Sequence, residues 1–257
     1  HYISLFMSLV ALNRINRHVD MYTGPWQAAY KRGRSCADLV WSQRMLSSVV
    51  AKREFEYSKV NIDMTAAFNT IKRPTIINLL IDAGCSRDDI RLVQYLMSNT
   101  KLRVTVNKAQ SGEFVINIGA YQGDSLAGKV FTLNLAGALN HIRAVIPASI
   151  PRPNPPISEN GIPLESAYSD DSELLDVNGE NLPRILEIAS DILKDWSLFV
   201  NESKTVFTRV YLAGVTEVDS HDKKIRGNEE WRDTILLGSK LCSERDITNR
   251  CNKANVA

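Results

Sequence analysis

The sequence predicts an α+β fold in which antiparallel hairpins are covered by helices. Segments of alternating polarity occur in pairs joined by short turns, which is the pattern of half-buried antiparallel strands. Between these pairs lie segments with an apolar stripe at helical spacing. At 257 residues and 44% hydrophobic composition, the chain is long enough to bury a full core, as one large domain or two modest ones.

The predicted elements have recognisable boundaries. Helix limits come from the break at Arg73-Pro74 and from Gly84, and Ser111-Gly112 joins two alternating segments as a hairpin. Six prolines between residues 146 and 163 predict a surface loop without regular structure. We expect helices over 39–52, 75–84, 87–98, 124–144 and 185–196, and strands over 56–63, 101–107, 113–119, 205–213 and 234–241.

A further hairpin is predicted in "ESAYSDDSELLDV", which starts at Glu165 and has Asp170 and Asp171 at its tip. A pair of aspartates is not by itself evidence of function. Asp88-Asp89 is a second such pair, and it follows Ser86, where a serine N-cap and two carboxylates in the first helical turn have a structural explanation. What distinguishes residues 170 and 171 must therefore come from elsewhere in the chain.

Asp63 is a third carboxylate, at the end of the alternating segment 56–63, where its side chain can face a cleft. If this strand lies beside the Asp170-Asp171 hairpin, the three carboxylates converge, and a divalent cation would relieve their repulsion. Mg²⁺ suits such ligands, and two ions about 4 Å apart stabilise the attacking and leaving oxygens of phosphoryl transfer. In the alternative, Asp63 caps the helix that follows.

Charge is unevenly distributed, although the net charge is only +2. Residues 1–50 carry six Lys and Arg against two acids, whereas residues 153–183 carry seven acids and no Lys or Arg. A basic region together with an acidic region that lacks cations suits a protein that holds polyanions and metal ions together. Ordinary fluctuation of surface charge is the alternative.

The four cysteines form no C-x-x-C pair and no zinc-finger spacing with histidine, which indicates reduced thiols in an intracellular protein. No apolar run reaches the roughly 18–20 residues that span a bilayer, so we expect no membrane segment. The opening stretch "YISLFMSLVAL" is apolar but shorter and has no basic segment before it, which favours buried chain over a signal sequence.

Six motifs in order resemble the reverse transcriptase domain of non-LTR (LINE-type) retrotransposons, over residues from about 2 to 251. "NIDMTAAF" resembles the motif of the first metal-binding aspartate, and "YSDD" is similar to the family's Tyr-x-Asp-Asp hairpin. The other four are "YKRGRSCAD", "YQGDSLAGKVFTLNL", "NESKT" and "LLGSKL". Their order and workable spacing make the signal strong.

The resemblance implies a right-hand polymerase. Its palm, an antiparallel sheet backed by helices, would span residues 56–257, with finger insertions over about 75–118 and the proline-rich loop over 146–163. Residues 1–55 would form partial fingers, and we expect the thumb to be absent.

The resemblance also assigns catalytic residues. Asp63, Asp170 and Asp171 would hold two Mg²⁺ ions, with Mn²⁺ as a substitute, and Ser169 replaces the family's usual Ala beside them. The ions would lower the pKa of the primer 3′-hydroxyl and brace the triphosphate while pyrophosphate leaves. Lys204 corresponds to a family lysine near the pyrophosphate and is a candidate proton donor. A solvated surface lysine is the alternative for that residue.

Further positions correspond to the family's nucleotide and primer contacts. Phe68 falls where the family has an aromatic steric gate against the 2′-hydroxyl, with core packing as the alternative. Gln122 and Gly123 would position the incoming nucleotide and template, since glycine permits close backbone approach. The full set is Ala67, Phe68, Gln122, Gly123 and Arg34 for the nucleotide, and Leu237 and Gly238 for the primer.

These residues predict an RNA-directed DNA polymerase, a nucleotidyltransferase that uses an RNA template, a DNA primer and dNTPs. It would belong to a retroelement, have other segments of the same polyprotein as partners, and act in the cytoplasm and nucleus. A truncated or decayed copy that binds nucleic acid without polymerising is the alternative. A third hypothesis is an RNA-templated RNA polymerase of viral type, which Phe68 argues against because its ring would exclude ribonucleotides.

Overall fold

The structure, a computed structural model, describes residues 2–52, 57–98, 100–121, 123–150, 164–177, 179–211, 216–217 and 251. The chain divides into two compact units, each formed by separate stretches of sequence. The first comprises His1–Pro25, Ala66–Ala138 and Leu193–Phe199, and the second comprises Trp26–Thr65, Leu139–Ile192 and Val200–Ala257. The predicted strand 234–241 and residues 151–163 of the predicted loop lie outside the described residues.

An antiparallel sheet of five strands forms the centre of the second unit. Its strands, from edge to edge, are β11 (Thr216–Glu217), β10 (Val206–Tyr211), β1 (Tyr57–Ile62), β8 (Asp171–Asp176) and β7 (Glu165–Tyr168). Helix α2 (Cys36–Lys52) packs against this sheet, and Ser47 on the helix shares a hydrogen bond of 3.1 Å with the buried hydroxyl of Tyr57. The predicted α+β class with antiparallel strands is confirmed.

A buried polar network lies on the face of the sheet that α2 covers. Lys59 Nζ is 2.7 Å from Glu173 Oε1, and both side chains are fully buried. Ser166 Oγ donates to Glu173 Oε2 at 3.3 Å and accepts from Gln43 Nε2 at 3.1 Å. A buried pair of this kind is stable only when both charges are compensated.

The acidic region is less free of cations than its sequence suggested. Glu173 is paired with Lys59, and Glu165 lies 2.7 Å from Arg143. Residues 153–183 carry no Lys or Arg of their own, but cations from outside this segment compensate two of its carboxylates. A pattern of charge along the sequence does not show which charges meet after folding.

The first unit contains α1 (Tyr2–Tyr22), α3 (Arg73–Asp82), α4 (Arg87–Met97) and the beginning of α5 (Ala127–Ser149). The predicted cap of α4 is confirmed, since the Asp89 N–H donates to Ser86 Oγ at 3.2 Å and Ser86 Oγ donates to Asp89 Oδ2 at 2.6 Å. Arg14 of α1 also pairs with Asp89. The hydrogen bond from Ser86 and the charge of Arg14 hold the pKa of Asp89 below its ordinary value.

The predicted hairpin at 101–119 turns at a different place. Asn107 and Lys108 form the reversal, and both adopt positive φ, 49° and 69°, as in the two-residue turns that match strand twist. Ser111-Gly112, the predicted turn, instead lies between two strands, so that prediction was wrong. The strands are β3 (Thr100–Leu102), β4 (Thr105–Val106), β5 (Ala109–Gln110) and β6 (Phe114–Ile116), with β3 paired to β6 and β4 to β5.

Two further predictions are corrected at helix ends. Helix α5 continues through Pro147, which lies in its last turn, so the helix runs beyond the predicted limit at residue 144 and into the predicted loop. The opening stretch is not simply buried, because Ile3 and Phe6 of α1 are 81% and 63% exposed. The buried face of α1 begins later, with Ser8, Ala11, Ile15 and Val19.

Among the described helices, none is long and apolar enough to cross a membrane.

Helix α6 (Leu182–Asp195) follows a single 3-10 turn at Gly179–Asn181, close to the predicted limits. Two short strands, β2 (Met64–Thr65) and β9 (Phe199–Val200), complete the described elements. After α6, the ring of Trp196 lies against Gly137 of α5. A Cβ at Gly137 would come within 2.5 Å of this ring, so the contact requires glycine.

Candidate active site

The hairpin of β7 and β8 presents the aspartate pair. Tyr168 pairs with Asp171 as its last step, so that Ser169 and Asp170 form a two-residue turn. Asp170 is exposed in that turn, whereas Asp171 is the first residue of β8 and is half-buried. The predicted hairpin is confirmed, but only Asp170 lies in its turn.

Asp63 lies directly after β1, next to this hairpin. Ile62 faces Ser172 in the antiparallel register, and one further step along both strands sets Asp63 opposite Asp171. The alternative that Asp63 caps a helix is wrong, because the next helix, α3, begins at Arg73 and has Lys72 at its N-cap. Asp63 and Asp171 therefore lie at adjacent strand ends.

Asn61 is a residue of this site that sequence reasoning missed. Its Nδ2 donates to Asp171 Oδ1 at 3.1 Å, across the two central strands. Residues two apart on a strand share a face, so the alternation of β1 already placed Asn61 on the same face as Asp63. The face on which Asn61 lies could therefore be predicted, but nothing in the sequence showed that its side chain bonds to Asp171.

Lys204 lies beside Asp63, with 3.4 Å between Nζ and Oδ2. The backbone N–H of Asn201 donates to the Asp63 carbonyl at 2.8 Å and fixes the turn that bears the lysine. The lysine side chain is 65% exposed and the aspartate 38%, so water screens this pair. The lysine side chain is thus close to a candidate metal ligand.

The donors present fit Mg²⁺ in kind, since carboxylate oxygens are the hard ligands it prefers and it commonly keeps only one or two protein carboxylates. Among the residues that the structure describes, however, no group of three or more His, Cys, Asp or Glu side chains is arranged to hold a metal ion. The structure therefore brings Asp63 and Asp171 to adjacent positions without showing the predicted convergence of three carboxylates.

The candidate nucleotide residues Ala67, Phe68 and Gly123 belong to the first unit. Ala67 is buried, and the ring of Phe68 stacks on that of Phe131 with centroids 4.4 Å apart, so Phe68 does pack against a core residue. The N–H of Ala120 donates to the Phe68 carbonyl at 2.8 Å, which brings the two candidate nucleotide segments side by side. Gly123 has φ of 94°, a conformation that glycine adopts without strain.

A cavity of about 370 Å³ lies in this part of the first unit. Asn69, next to Phe68, and Tyr121, next to Gln122, are among the residues that line it. Arg34 belongs to the second unit, where it is exposed in the turn before α2. Three predicted site residues lie outside the described residues: Gln122, Leu237 and Gly238.

Comparisons with known proteins agree on the fold. Telomerase from Candida albicans, in complex with a TWJ fragment of telomeric RNA, superposes with a TM-score of 0.61 at 12% identity, covering 91% of this chain and 36% of that chain. Telomerase from Candida tropicalis with the same kind of fragment gives 0.63 at 12% identity, with 89% and 36% covered. Apo telomerase from Candida tropicalis gives 0.59 at 14% identity, with 91% and 38% covered.

The chain thus spans little more than a third of the length of these telomerases. At such identities the likeness concerns the fold alone, and it confirms the predicted polymerase fold. No curated protein matches the sequence. The family model for reverse transcriptase (RNA-dependent DNA polymerase) matches residues 7–235, which is most of the chain. The chain belongs to the reverse transcriptase family.

Proposed function

We propose that this chain is the reverse transcriptase domain of a non-LTR retroelement and extends a DNA primer on an RNA template, with dNTPs as substrates. The main support is the position of Asp63 and Asp171 at adjacent ends of β1 and β8, with Asn61 hydrogen-bonded to Asp171. The telomerases that share the fold include two in complex with an RNA fragment, which supports an RNA partner. By family resemblance, the site of action is intracellular.

In this proposal Asp63 and Asp171, with Asp170 from the adjacent turn, would hold two Mg²⁺ ions through their carboxylate oxygens. Such ions would lower the pKa of the primer 3′-hydroxyl and neutralise charge on the triphosphate. Asn61 orients the Asp171 carboxylate by donating to Oδ1. A fixed carboxylate loses less entropy when it takes up a ligand, which is the general benefit of preorganisation.

Lys204 is the proposed proton donor to the leaving pyrophosphate. Its Nζ is 3.4 Å from Asp63 Oδ2, and the exposed side chain can turn from this carboxylate to a phosphate oxygen. On the nucleotide side, Phe68 would exclude the 2′-hydroxyl, while Ala67, Gly123, Gln122 and Arg34 would contact the nucleotide. Leu237 and Gly238 would contact the primer.

Primer extension by the purified chain on an RNA template, with dNTPs and Mg²⁺, tests the proposal. Asp170→Asn should lower the extension rate by about 100-fold, the effect typical of removing one electrostatic stabiliser from an active site. Asp88→Asn is the matched control, because Asp88 belongs to the other aspartate pair and lies in the exposed first turn of α4. Equal extension by both variants would contradict the metal role of Asp170.

A second candidate function is a chain that binds RNA and DNA without polymerising. The pairing of Lys204 with Asp63 favours it, because a cation beside this carboxylate competes with a metal ion for the same oxygens. In that case the folded wild-type chain would bind an RNA–DNA hybrid but yield no extended primer. Asp170→Asn would then leave hybrid binding unchanged.

Sugar selectivity separates a DNA polymerase from an RNA-templated RNA polymerase. Phe68→Ala should increase incorporation of ribonucleotides relative to dNTPs if the ring is the steric gate. Phe114→Ala serves as the control, since Phe114 is a half-exposed ring on β6. Unchanged selectivity in Phe68→Ala would assign this ring to core packing against Phe131 alone.

A further inference from the structure

Gln27 is a buried side chain beside the β7–β8 hairpin. The proposed function gives it no role. Only 2% of it is exposed. Its segment runs along the outer side of β7 as a parallel bridge to Ala167. The Ala167 N–H donates to the Trp26 carbonyl at 2.9 Å, and the Ala28 N–H donates to the Ala167 carbonyl at 3.0 Å. The backbone of this segment is therefore fixed against β7 on both sides of Gln27.

The Gln27 amide holds the backbone of Ser169. Gln27 Oε1 accepts from the Ser169 N–H at 3.2 Å and from the Ala29 N–H at 2.9 Å, and Nε2 donates to the Ser169 carbonyl at 3.5 Å. One side chain thus contacts both backbone polar groups of the residue that precedes Asp170. Ser169 has φ of 58°, a conformation that needs such support in a residue other than glycine.

We propose that Gln27 is a positioning residue that fixes the turn of the β7–β8 hairpin and thereby aims Asp170 and Asp171. This inference rests on the proposed function, because it takes both aspartates as metal ligands. A two-residue turn leaves few backbone torsions between Ser169 and Asp171, so a restraint on Ser169 is passed directly to both carboxylates. Catalytic groups must be held within about 0.5 Å of their productive geometry, which is the accuracy that such support provides.

Gln43 shows that a buried glutamine near this hairpin need not act on the turn. It is equally buried, at 3% exposed, and it also bonds to β7, but its partner is the Ser166 hydroxyl rather than turn backbone. Gln43→Leu therefore makes the same chemical change as Gln27→Leu, at a side chain that also packs against β7, without removing a bond to Ser169. It is the matched control.

Hydrogen exchange at the Ser169 backbone amide, followed by NMR in the full chain, tests the restraint directly. We expect exchange to become about tenfold faster in Gln27→Leu, since a buried hydrogen bond is lost, and to stay at the wild-type rate in Gln43→Leu. Gln27→Met keeps an unbranched side chain of similar length without the amide, so it tests the same loss if Gln27→Leu folds poorly, and exchange should again be about tenfold faster. Wild-type exchange in Gln27→Leu, or equally fast exchange in Gln43→Leu, would overturn the proposal.

The Mg²⁺ dependence of primer extension tests the consequence for the carboxylates. Gln27→Leu should require about tenfold more Mg²⁺ for half-maximal extension, as typical when a group that orients a metal ligand is removed, while Gln43→Leu should match wild type. Fast exchange with an unchanged Mg²⁺ requirement would overturn the positioning role. If wild type itself does not extend primers, the proposed polymerase function fails. Slow exchange in wild type and fast exchange in Gln27→Leu would then still support the restraint, and equal rates would overturn it.

Discussion

At the scale of single residues, Ser169 is a constrained position in the hairpin that bears the aspartates. Its φ of 58° lies in the left-handed region, which costs an L residue roughly 1–2 kcal/mol. Strained backbone of this kind is common at functional turns, where the surrounding structure holds it in place. Ser169 follows that pattern, because Gln27 bonds to its backbone and Asp170 comes next.

Ser169→Gly should raise the free energy of unfolding by about 0.5–1 kcal/mol, since glycine takes up positive φ without steric cost. Urea denaturation measures this change. Ser169→Ala keeps the Cβ atom and its strain, so it should differ little from wild type. If Ser169→Ala raised the free energy of unfolding as much as Ser169→Gly, relief of backbone strain would not be the cause.

At the scale of elements, the pairing of β1 with β8 depends on a buried ion pair. Lys59 and Glu173 lie diagonally across these strands, since Glu173 faces Asn61 in the register. Lys59 and Glu173 each lie two residues along their strand from Asn61 and Asp171, which are joined by a hydrogen bond. Removing one partner would leave an uncompensated charge beneath the candidate site.

Lys59→Met should lower the free energy of unfolding by about 3–5 kcal/mol, because Glu173 would stay buried without its cation. The double variant Lys59→Met, Glu173→Gln should recover most of that loss, since no buried charge remains. Denaturation of both variants measures the coupling. Arg184→Met breaks an exposed pair with Glu187 and should cost less than about 1 kcal/mol. A double variant no more stable than Lys59→Met would contradict this explanation.

Gly137→Ala should destabilise the protein, although alanine is the better helix former by about 1 kcal/mol. The added Cβ would lie 2.5 Å from the ring of Trp196 and 3.0 Å from Leu79 Cδ2. Overpacking of this kind typically costs about 1–3 kcal/mol. The thermal midpoint measures the outcome, and an increase would show that the ring moves away without cost.

Elements were predictable where local pattern decided them. The strand before Asp63, the aspartate hairpin and the Ser86 cap follow from alternation, spacing and capping chemistry that act within a few residues. The turn at Asn107 was missed because Ser-Gly is the more familiar turn signal, while Asn and Lys adopted the left-handed conformation. The end of α5 was also missed, because a proline after a helical pattern usually marks a helix boundary, whereas α5 includes Pro147 and ends at Ser149.

At the scale of the whole molecule, stability depends on pH through Asp89. Its pKa is held below the ordinary value by the hydrogen bond from Ser86 and by Arg14. A carboxyl whose pKa is lower in the folded state contributes stability that is fully present above its unfolded pKa, about 3.9, and is lost as pH falls through the lower folded value.

Asp89→Asn should therefore cost about 1–3 kcal/mol at pH 7, where the charged hydrogen bonds are intact. The cost should be smaller at pH 3, because that pH lies below the unfolded pKa of about 3.9 and the stabilising contribution of Asp89 has begun to fall there. Urea denaturation at both pH values measures the difference, with Asp88→Asn as the exposed control. A cost that does not change with pH would mean that the charge of Asp89 is not what stabilises the fold.

Contacts between distant parts of the chain lay beyond the sequence alone. Gln27 and Ser169 are 142 positions apart, and Lys59 and Glu173 are 114 apart. Nothing in the segment around Gln27 signals a partner, since a glutamine is ordinary on any polar surface. The carboxylates of the site were found because an ordered set of motifs identified them, whereas the residues that support them become visible only after folding.

The buried pair of Lys59 and Glu173 also limits how this sequence can diverge. Each single replacement passes through a protein with one uncompensated buried charge, whereas replacing both together restores a neutral interior. Lineages that change one of these positions should therefore carry a compensating change at the other. The two positions should therefore co-vary, and related chains should show either both charges or neither.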